Sequence, residues 1–385
     1  MALRETIEKA WRNLRKGKTN RPAVIAIEND FDNEVSRMQT MILNTKPDGY
    51  EVEHPELAYE PPKKRRTKEI NERGKRRIAY LAEIREQWYF HIIVEVLKPI
   101  VMKDLNPHVY GSIPGRGPHT GKKHIEKQIR SGKRIKHFLK TDIRHFYDTL
   151  TIAVIIRELR RVIADDLFLY CIAKIYKYCP KGIMIGLFIS PWLANFVLIR
   201  LDFCITSIDG TTLYRYMDDT VVFAGSKRIL HMALEAIKKM LGRLRLRLKS
   251  NYQICRYDYE TRRTRIRRDG TFYRVHIGRP LDFMGFVFFR DRTTIRKGIL
   301  LRAARGARRL HKAKEKGRRY YLRAVRAMVS RIGWFSHTDS YGCYLEKVKP
   351  FVEIGKLKRI ISKIDKRGAI ENDRMEERTV LGKAA

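Results

Sequence analysis

Leu213-Tyr214-Arg215-Tyr216-Met217-Asp218-Asp219-Thr220-Val221-Val222-Phe223 sets runs of aromatic and β-branched residues on either side of two adjacent carboxylates. Such runs favour extended backbone, so the stretch predicts a β-hairpin with Asp218 and Asp219 at its turn. A lone Asp-Asp pair is ordinarily a solvated turn. A chemical role needs another carboxylate, brought from elsewhere in the chain to the same point. Lys140-Thr141-Asp142-Ile143-Arg144-His145-Phe146-Tyr147-Asp148 offers one, because Phe138 to Thr141 reads as a strand and Asp142 stands at its end.

Carboxylates from separate segments that converge on two Mg²⁺ ions about 3.5–4 Å apart suit nucleotidyl transfer. Asp142 with the hairpin pair is such a set, and here the chain resembles the reverse transcriptases. In that resemblance Asp142 belongs to the first catalytic motif, Tyr216 to Asp219 form the Tyr-x-Asp-Asp box, and Asp142, Ile143, Asp218 and Asp219 are the metal-holding positions. The resemblance implies Mg²⁺ as cofactor, with Mn²⁺ as a substitute. Tyr147 is similar to the aromatic that screens the sugar of the incoming nucleotide; as strand neighbours alternate, only one of Phe146 and Tyr147 should face it. Lys249 matches a lysine that protonates the leaving pyrophosphate, work that needs only a mobile ammonium.

Composition bounds the partners. The 385 residues carry 82 Lys plus Arg against 42 Asp plus Glu, a formal charge of +40. A surplus that large repels itself unless a polyanion neutralises it, which points to nucleic acid. The competing polyanion is an anionic membrane, but no apolar run of spanning length and no signal peptide is visible, so a soluble, cytoplasmic protein is expected. Five scattered cysteines form no C-x-x-C pair, which argues for reduced thiols and against zinc.

Taken in order, a helix is predicted over Ala2 to Arg15 and another over Asp30 to Leu43. The N-terminal segment is either a docking element or a brace. Pro61-Pro62-Lys63-Lys64-Arg65-Arg66 reads equally as a solvated linker or a phosphate contact. The run from Arg73 to Ile78 resembles the basic fingers hairpin over the nucleotide triphosphate, with Lys75, Arg77 and Arg85 as the cations. A helix from about Gln87 to Val101 follows. Tyr110-Gly111-Ser112-Ile113-Pro114-Gly115-Arg116 is similar to a motif of group II intron enzymes, a tight loop whose small residues permit close approach and whose Arg116 contacts phosphate. Residues 150 to 178 read as helical.

Gly182 to Asn195 resembles the family's Gln-Gly-x-x-x-Ser-Pro motif, in which Ser190 should cap a helix and touch nucleic acid while Ile185 and Gly186 lie against the nucleotide. Ile185 replaces the usual Gln, as in diversity-generating retroelement enzymes; the Ser190-Pro191 pair departs from them. A palm helix is expected over Ile229 to Leu246 and a strand over Arg245 to Lys249. Arg262 to Arg268, with Asp269-Gly270, reads as an exposed basic hairpin. Leu281 to Phe289 is similar to the primer grip, with Met284 and Gly285 at its turn.

Residues 290 to 367 hold 24 Lys or Arg against 6 Asp or Glu. A helix over Ala303 to Met328, bearing Arg305, Arg308 and Arg309, and the aromatic Trp334 to Tyr341 stretch suggest a bundle that grips a duplex backbone. The fold implied is α+β, a right-hand polymerase: an N-terminal extension over 1–60, fingers over 61–135, palm over 136–289 with finger helices near 150–185, thumb over 290–367, and a disordered tail over 368–385. The partners implied are a structured RNA template, a DNA or RNA primer, deoxynucleoside triphosphates and room for an accessory protein subunit. Competing readings are a group II intron-derived or antiphage-defence reverse transcriptase, and a non-catalytic RNA maturase or chaperone.

Overall fold

A computed structural model describes residues 2–72, 75–131, 135–179, 181–266, 268–317 and 321–364. The fold mixes helices with antiparallel sheets, and the chain divides into two compact units: Met1–Gly117 with His137–Ile254, and Pro118–Lys136 with Cys255–Ala385. Among the described residues no helix is long and apolar enough to cross a membrane.

The first unit opens with α1 (Ala2–Leu14), α2 (Pro22–Glu28) and α3 (Phe31–Leu43). Ile7, Ala10, Trp11 and Leu14 form one stripe along α1, as the helical period requires, and all are buried. The stripe packs on α4 (Ile84–Asp104). There the Trp11 and Trp88 rings lie 4.8 Å apart, Phe31 stacks on Trp88, and Trp88 Nε1 donates to the Ile7 carbonyl at 2.8 Å. The N-terminal segment therefore packs on α4.

Between these helices β1 (Arg66–Glu72) and β2 (Lys75–Leu81) pair antiparallel, as the basic run suggests. The turn residues Arg73 and Gly74, and the side chain of Lys75, lie outside the described residues. Arg65 in the preceding basic run fits neither expectation. Its side chain is buried, ion-paired with Glu86 and in contact with the Tyr59 hydroxyl, so it holds the loop to α4.

After α5 (Pro118–Arg130), which belongs to the second unit, come β3 (His137–Thr141), α6 (Phe146–Thr149), α7 (Ile152–Leu159), α8 (Asp166–Ile175), α9 (Ser190–Val197), α10 (Ile199–Thr206), β4 (Thr211–Tyr216), β5 (Asp219–Ala224), α11 (Lys227–Arg243) and β6 (Gln253–Arg256). The strands form one sheet in the order β4-β5-β3-β6, with β5 antiparallel to both of its neighbours, β4 and β3. Thr220 to Ala224 are buried without alternation, the signature of a strand covered on both faces. One cover is α11, whose stripe of Leu230, Ala233, Leu234, Ile237 and Leu241 is buried and which packs on β3 and β5.

One expectation is refined here and two need correction. The stretch 150–178 is helical as expected, divided into two helices because Thr151 and Asp165 each cap a separate start. Phe146 and Tyr147 lie on a helix, so their different exposures follow its rotation and not strand alternation. Arg245 to Lys249 keeps an alternating burial but forms only an isolated bridge, Ile143 with Leu248.

In the second unit β7 (Tyr259–Ile266) and β8 (Phe272–Ile277) form a two-stranded ribbon; β9 (Leu281–Phe283), β10 (Phe286–Phe288) and β11 (Thr293–Ile295) form a three-stranded sheet. The helices α12 (Lys297–Glu315), α13 (Leu322–Ile332) and α14 (Tyr341–Lys347) follow. Ala303, Ala307, Leu310, Val325, Met328 and Phe335 pack into their common core. The single helix expected over Ala303 to Met328 is two, because Gly317, at φ +63°, ends α12 in the left-handed conformation that favours glycine. Residues from 365 on, including the tail expected to be disordered, lie outside the described residues.

Candidate active site

The β4–β5 turn is Met217-Asp218, closed by the pair Tyr216 and Asp219. Asp218 therefore sits in the turn and Asp219 opens β5, one position away from the expectation that both occupy the turn. Met217 takes φ +56°, a conformation that costs a non-glycine residue about 1–2 kcal/mol. Its surroundings hold it there. Arg215 Nη1 donates to the Met217 carbonyl at 3.1 Å and to Asn195 Oδ1 at 2.9 Å. The Nε and Nη2 atoms of Arg215 donate to the Asp202 carboxylate, each at 2.7 Å. Arg215, Asp202 and Asn195 are all buried to within 1%.

Asn195 Nδ2 extends the network to the Gly111 carbonyl at 2.9 Å. Small size at Gly111 serves this turn: a Cβ there would stand 2.6 Å from both the Met217 nitrogen and its Cγ. Gly111→Ala should lower stability by about 1–3 kcal/mol, read as an earlier midpoint in urea unfolding, because the clash includes backbone that cannot swing away.

Asp142 reaches the same place through register. The β3–β5 ladder ends at Thr141 opposite Thr220, so the next step sets Asp142 against Asp219. The segment is pinned on its other side, where Lys249 N donates to the Asp142 carbonyl at 2.9 Å and Arg144 N to the Arg247 carbonyl at 2.8 Å. Lys249 Nζ pairs with Asp142 Oδ2, while Asp142 Oδ1 is buried without a hydrogen-bond partner. Burial, and next the charge of Asp142, push the Asp218 carboxyl up to about 6; Asp219 adds to the rise and the Lys249 ammonium opposes it. Three carboxylates and one ammonium thus share one electrostatic site.

A buried carboxylate oxygen without a donor, beside a second carboxyl that resists ionisation, is a donor set that suits a divalent cation. Among the described residues no group of three or more His, Cys, Asp or Glu side chains is placed to hold a metal ion by itself. Mg²⁺ takes part of its shell from water and phosphate oxygens, so fewer protein donors than three can serve it.

Around this centre, Tyr147 is partly buried and its hydroxyl is held above the usual range by burial first and by Asp218 next, with Arg77 opposing. Arg77 of β2 is thereby within electrostatic reach of Tyr147. Tyr147 is seated by Gly182, whose φ is +54° and whose Cβ would lie 2.0 Å from the Tyr147 carbonyl. Gly186 approaches β2, where its Cβ would lie 2.4 Å from the Tyr80 carbonyl, and Tyr80 N donates to the Ile185 carbonyl at 2.7 Å.

The family model for reverse transcriptase (RNA-dependent DNA polymerase) matches residues 62–256, about half of the chain, and spans every one of these groups. The chain belongs to the reverse transcriptase family. It is accordingly an RNA-directed DNA polymerase, a nucleotidyltransferase whose substrates are an RNA template, a primer and deoxynucleoside triphosphates, and whose family uses divalent metal ions. No curated protein matches it.

Other expected site residues of the reverse transcriptase are placed less directly. Arg85 is paired with Glu34 of the N-terminal segment, Nε to Oε2 at 2.7 Å and Nη2 to Oε1 at 2.8 Å. Arg116 Nη1 donates to the Asn106 carbonyl at 3.1 Å. Ser190 corrects one expectation. It is fully buried, donates to the Met184 carbonyl and meets the Tyr176 hydroxyl, so it fastens its own motif, and the α9 cap position belongs to Ile189.

In the second unit Met284 and Gly285, at φ +51° and +91°, make the two-residue turn of a tight hairpin. Met284 is buried and the Trp334 ring lies against Gly285. Arg305, Arg308 and Arg309 are exposed on α12, and Arg308 lies over the Phe351 ring. Sequence reading missed the Arg215–Asp202–Asn195 network. Its signal was an arginine in an otherwise apolar strand, which buries only with partners to receive it.

Proposed function

We propose that the first unit carries fingers and palm of a right-hand polymerase, with β1–β2 as the fingers hairpin and the β4-β5-β3-β6 sheet as palm, and that α12–α14 form its thumb. The observation that carries the catalytic reading is the convergence of Asp142, Asp218 and Lys249 at one end of that sheet. Asp142, Asp218, Asp219 and the Ile143 carbonyl would hold two Mg²⁺ ions, which supply activation of the primer 3′-hydroxyl and charge neutralisation at the pyrophosphate. Asp142 Oδ1, buried without a donor, is left for that purpose. Lys249, tethered through its backbone to Asp142, carries an ammonium within reach of the leaving group and can return a proton to it. Arg77 and Lys75 meet the triphosphate charge. Thumb arginines 305, 308 and 309 hold the template–primer backbone.

Tyr147 packs beneath the sugar and selects against a 2′-hydroxyl. Tyr147→Ala should raise ribonucleotide use relative to deoxynucleotide use by roughly tenfold or more, measured as the ratio of kcat/KM values, since a removed clash is worth more than about 1.4 kcal/mol. Ile185 in place of Gln favours a diversity-generating retroelement as the setting; a template repeat and a variable repeat beside the gene would support it, and an adjoining intron RNA would favour group II descent. Incorporation of labelled deoxynucleotide on a primed RNA template tests the whole reading. Incorporation that needs a divalent cation supports it. An RNA-bound protein that incorporates nothing with Mg²⁺ or Mn²⁺ is a maturase or chaperone.

A further inference from the structure

The β7–β8 ribbon has a rigid root and a bare tip. At the root, the buried Asp258 carboxylate meets His276 Nδ1 at 3.0 Å and accepts from Arg290 N at 2.9 Å. Gly278, at φ +94°, lets the strands close there, since a Cβ would lie 2.6 Å from the Tyr257 carbonyl. Arg290 also lies over the Tyr257 ring at 5.0 Å.

Among the described residues neither strand pairs with a third beyond the root. An isolated two-stranded ribbon is marginal in water, yet this one ends in an apolar pair: Ile266 opposite Phe272, 62% and 73% exposed. Exposed arginines flank the pair. Arg265 stands opposite Tyr273, and Arg263 lies within the irregularity between Glu260 and Thr264, where extra residues twist the ribbon. A clamped mount that holds an aromatic and guanidinium groups away from the core is built to meet a partner.

We propose that this ribbon is an RNA-binding element that takes an unpaired loop of a structured RNA. Phe272 stacks on a splayed base on one face of the ribbon. Arg265, on the other face beside Tyr273, and Arg263 pair with phosphates of the RNA strand that passes round the ribbon's edge. The chemistry favours RNA over a protein surface. A protein partner would have to supply matching carboxylates, whereas every unpaired nucleotide offers one phosphate and one flat face together. The chain's formal charge of +40 draws the same partner.

Fluorescence anisotropy with a labelled RNA stem-loop, and with a blunt duplex of the same stem, tests this. Phe272→Ala should weaken stem-loop binding roughly tenfold and duplex binding far less, because base stacking on an aromatic is lost only where a base is free. Arg263→Ala with Arg265→Ala should weaken binding and lower the salt slope by about 1–2, one for each phosphate contact removed. Phe272→Trp and the paired Arg→Lys variants keep the chemistry and should bind nearly as wild type, which separates lost contact from lost folding. Wild-type affinity and salt slope in both Ala variants would overturn the proposal. So would loss of a co-purifying polypeptide with RNA binding intact, which would assign the ribbon to a protein partner. Binding is read without polymerisation, so the outcome is independent of the catalytic assignment.

Discussion

Asp218→Asn should abolish RNA-templated DNA synthesis, with extension down by about 10³-fold or more, while affinity for RNA changes little. On the proposed two-metal reading, the substitution removes one charged donor to the ions that neutralise phosphate charge, a contribution worth several kcal/mol in the transition state. It carries a second, opposite signature. Burial and Asp142 hold the Asp218 carboxyl at about 6 against an ordinary 3.8, so the folded protein binds that proton more tightly than the unfolded chain. The stability this gives is complete below about pH 4 and is lost as the pH rises through 6. Above that, ionised Asp218 costs the metal-free fold about 1–2 kcal/mol, after discounting for its partial exposure. In EDTA at pH 8 the Asn variant should therefore melt above wild type, and at pH 4 the difference should vanish. Mg²⁺ should raise the wild-type melting temperature and leave the variant's nearly unmoved. Full extension by Asp218→Asn would overturn the catalytic assignment of this carboxylate.

Arg215→Met should be the most destabilising single change in the first unit. It leaves the Asp202 carboxylate, 1% exposed, with no counter-charge in a place where burial already raises its pKa. Stranding one half of a buried pair costs about 3–5 kcal/mol, a large share of a stability typically between 5 and 15. Adding Asp202→Leu should recover most of that loss, because two apolar residues of similar volume satisfy each other. Activity should not return with stability. Arg215 also donates to the Met217 carbonyl and to Asn195, so the refolded double variant keeps a loosened turn beneath Asp218. Its kcat should stay about 10–100-fold down, in the range found when a partner that orients a functional group is lost. Stability measured by urea unfolding and kcat measured on one preparation separate the two effects. Joint recovery of both would make Arg215 purely a packing residue.

The hairpin and the helix stripes were legible because each depends on local periodicity: aromatic and β-branched runs around Asp218, and apolar spacing in α1, α3 and α11. The convergence of Asp142 with the hairpin was legible only because the motifs match a family, since no local rule fixes which strands pair. Breaks inside long helical patterns were missed where a single cap decides them, as at Asp165 and Gly317. Side-chain roles failed where solvent was assumed. Ser190 and Arg65 look like surface polar groups in sequence, yet both lie inside and spend their hydrogen bonds on the protein. Gly111 was read as room for nucleic acid, and the space it leaves belongs to Met217.

The Trp11–Trp88 contact has a practical bearing on where the polymerase begins. Residues 62–256 match the family, but α4 within that range keeps its tryptophan dry only beneath a helix from the first 14 residues. A fragment trimmed to the matched region would present that indole and its apolar neighbours to water, and copies of the fragment would cover them by clumping together. The smallest well-behaved catalytic piece starts at the first helix.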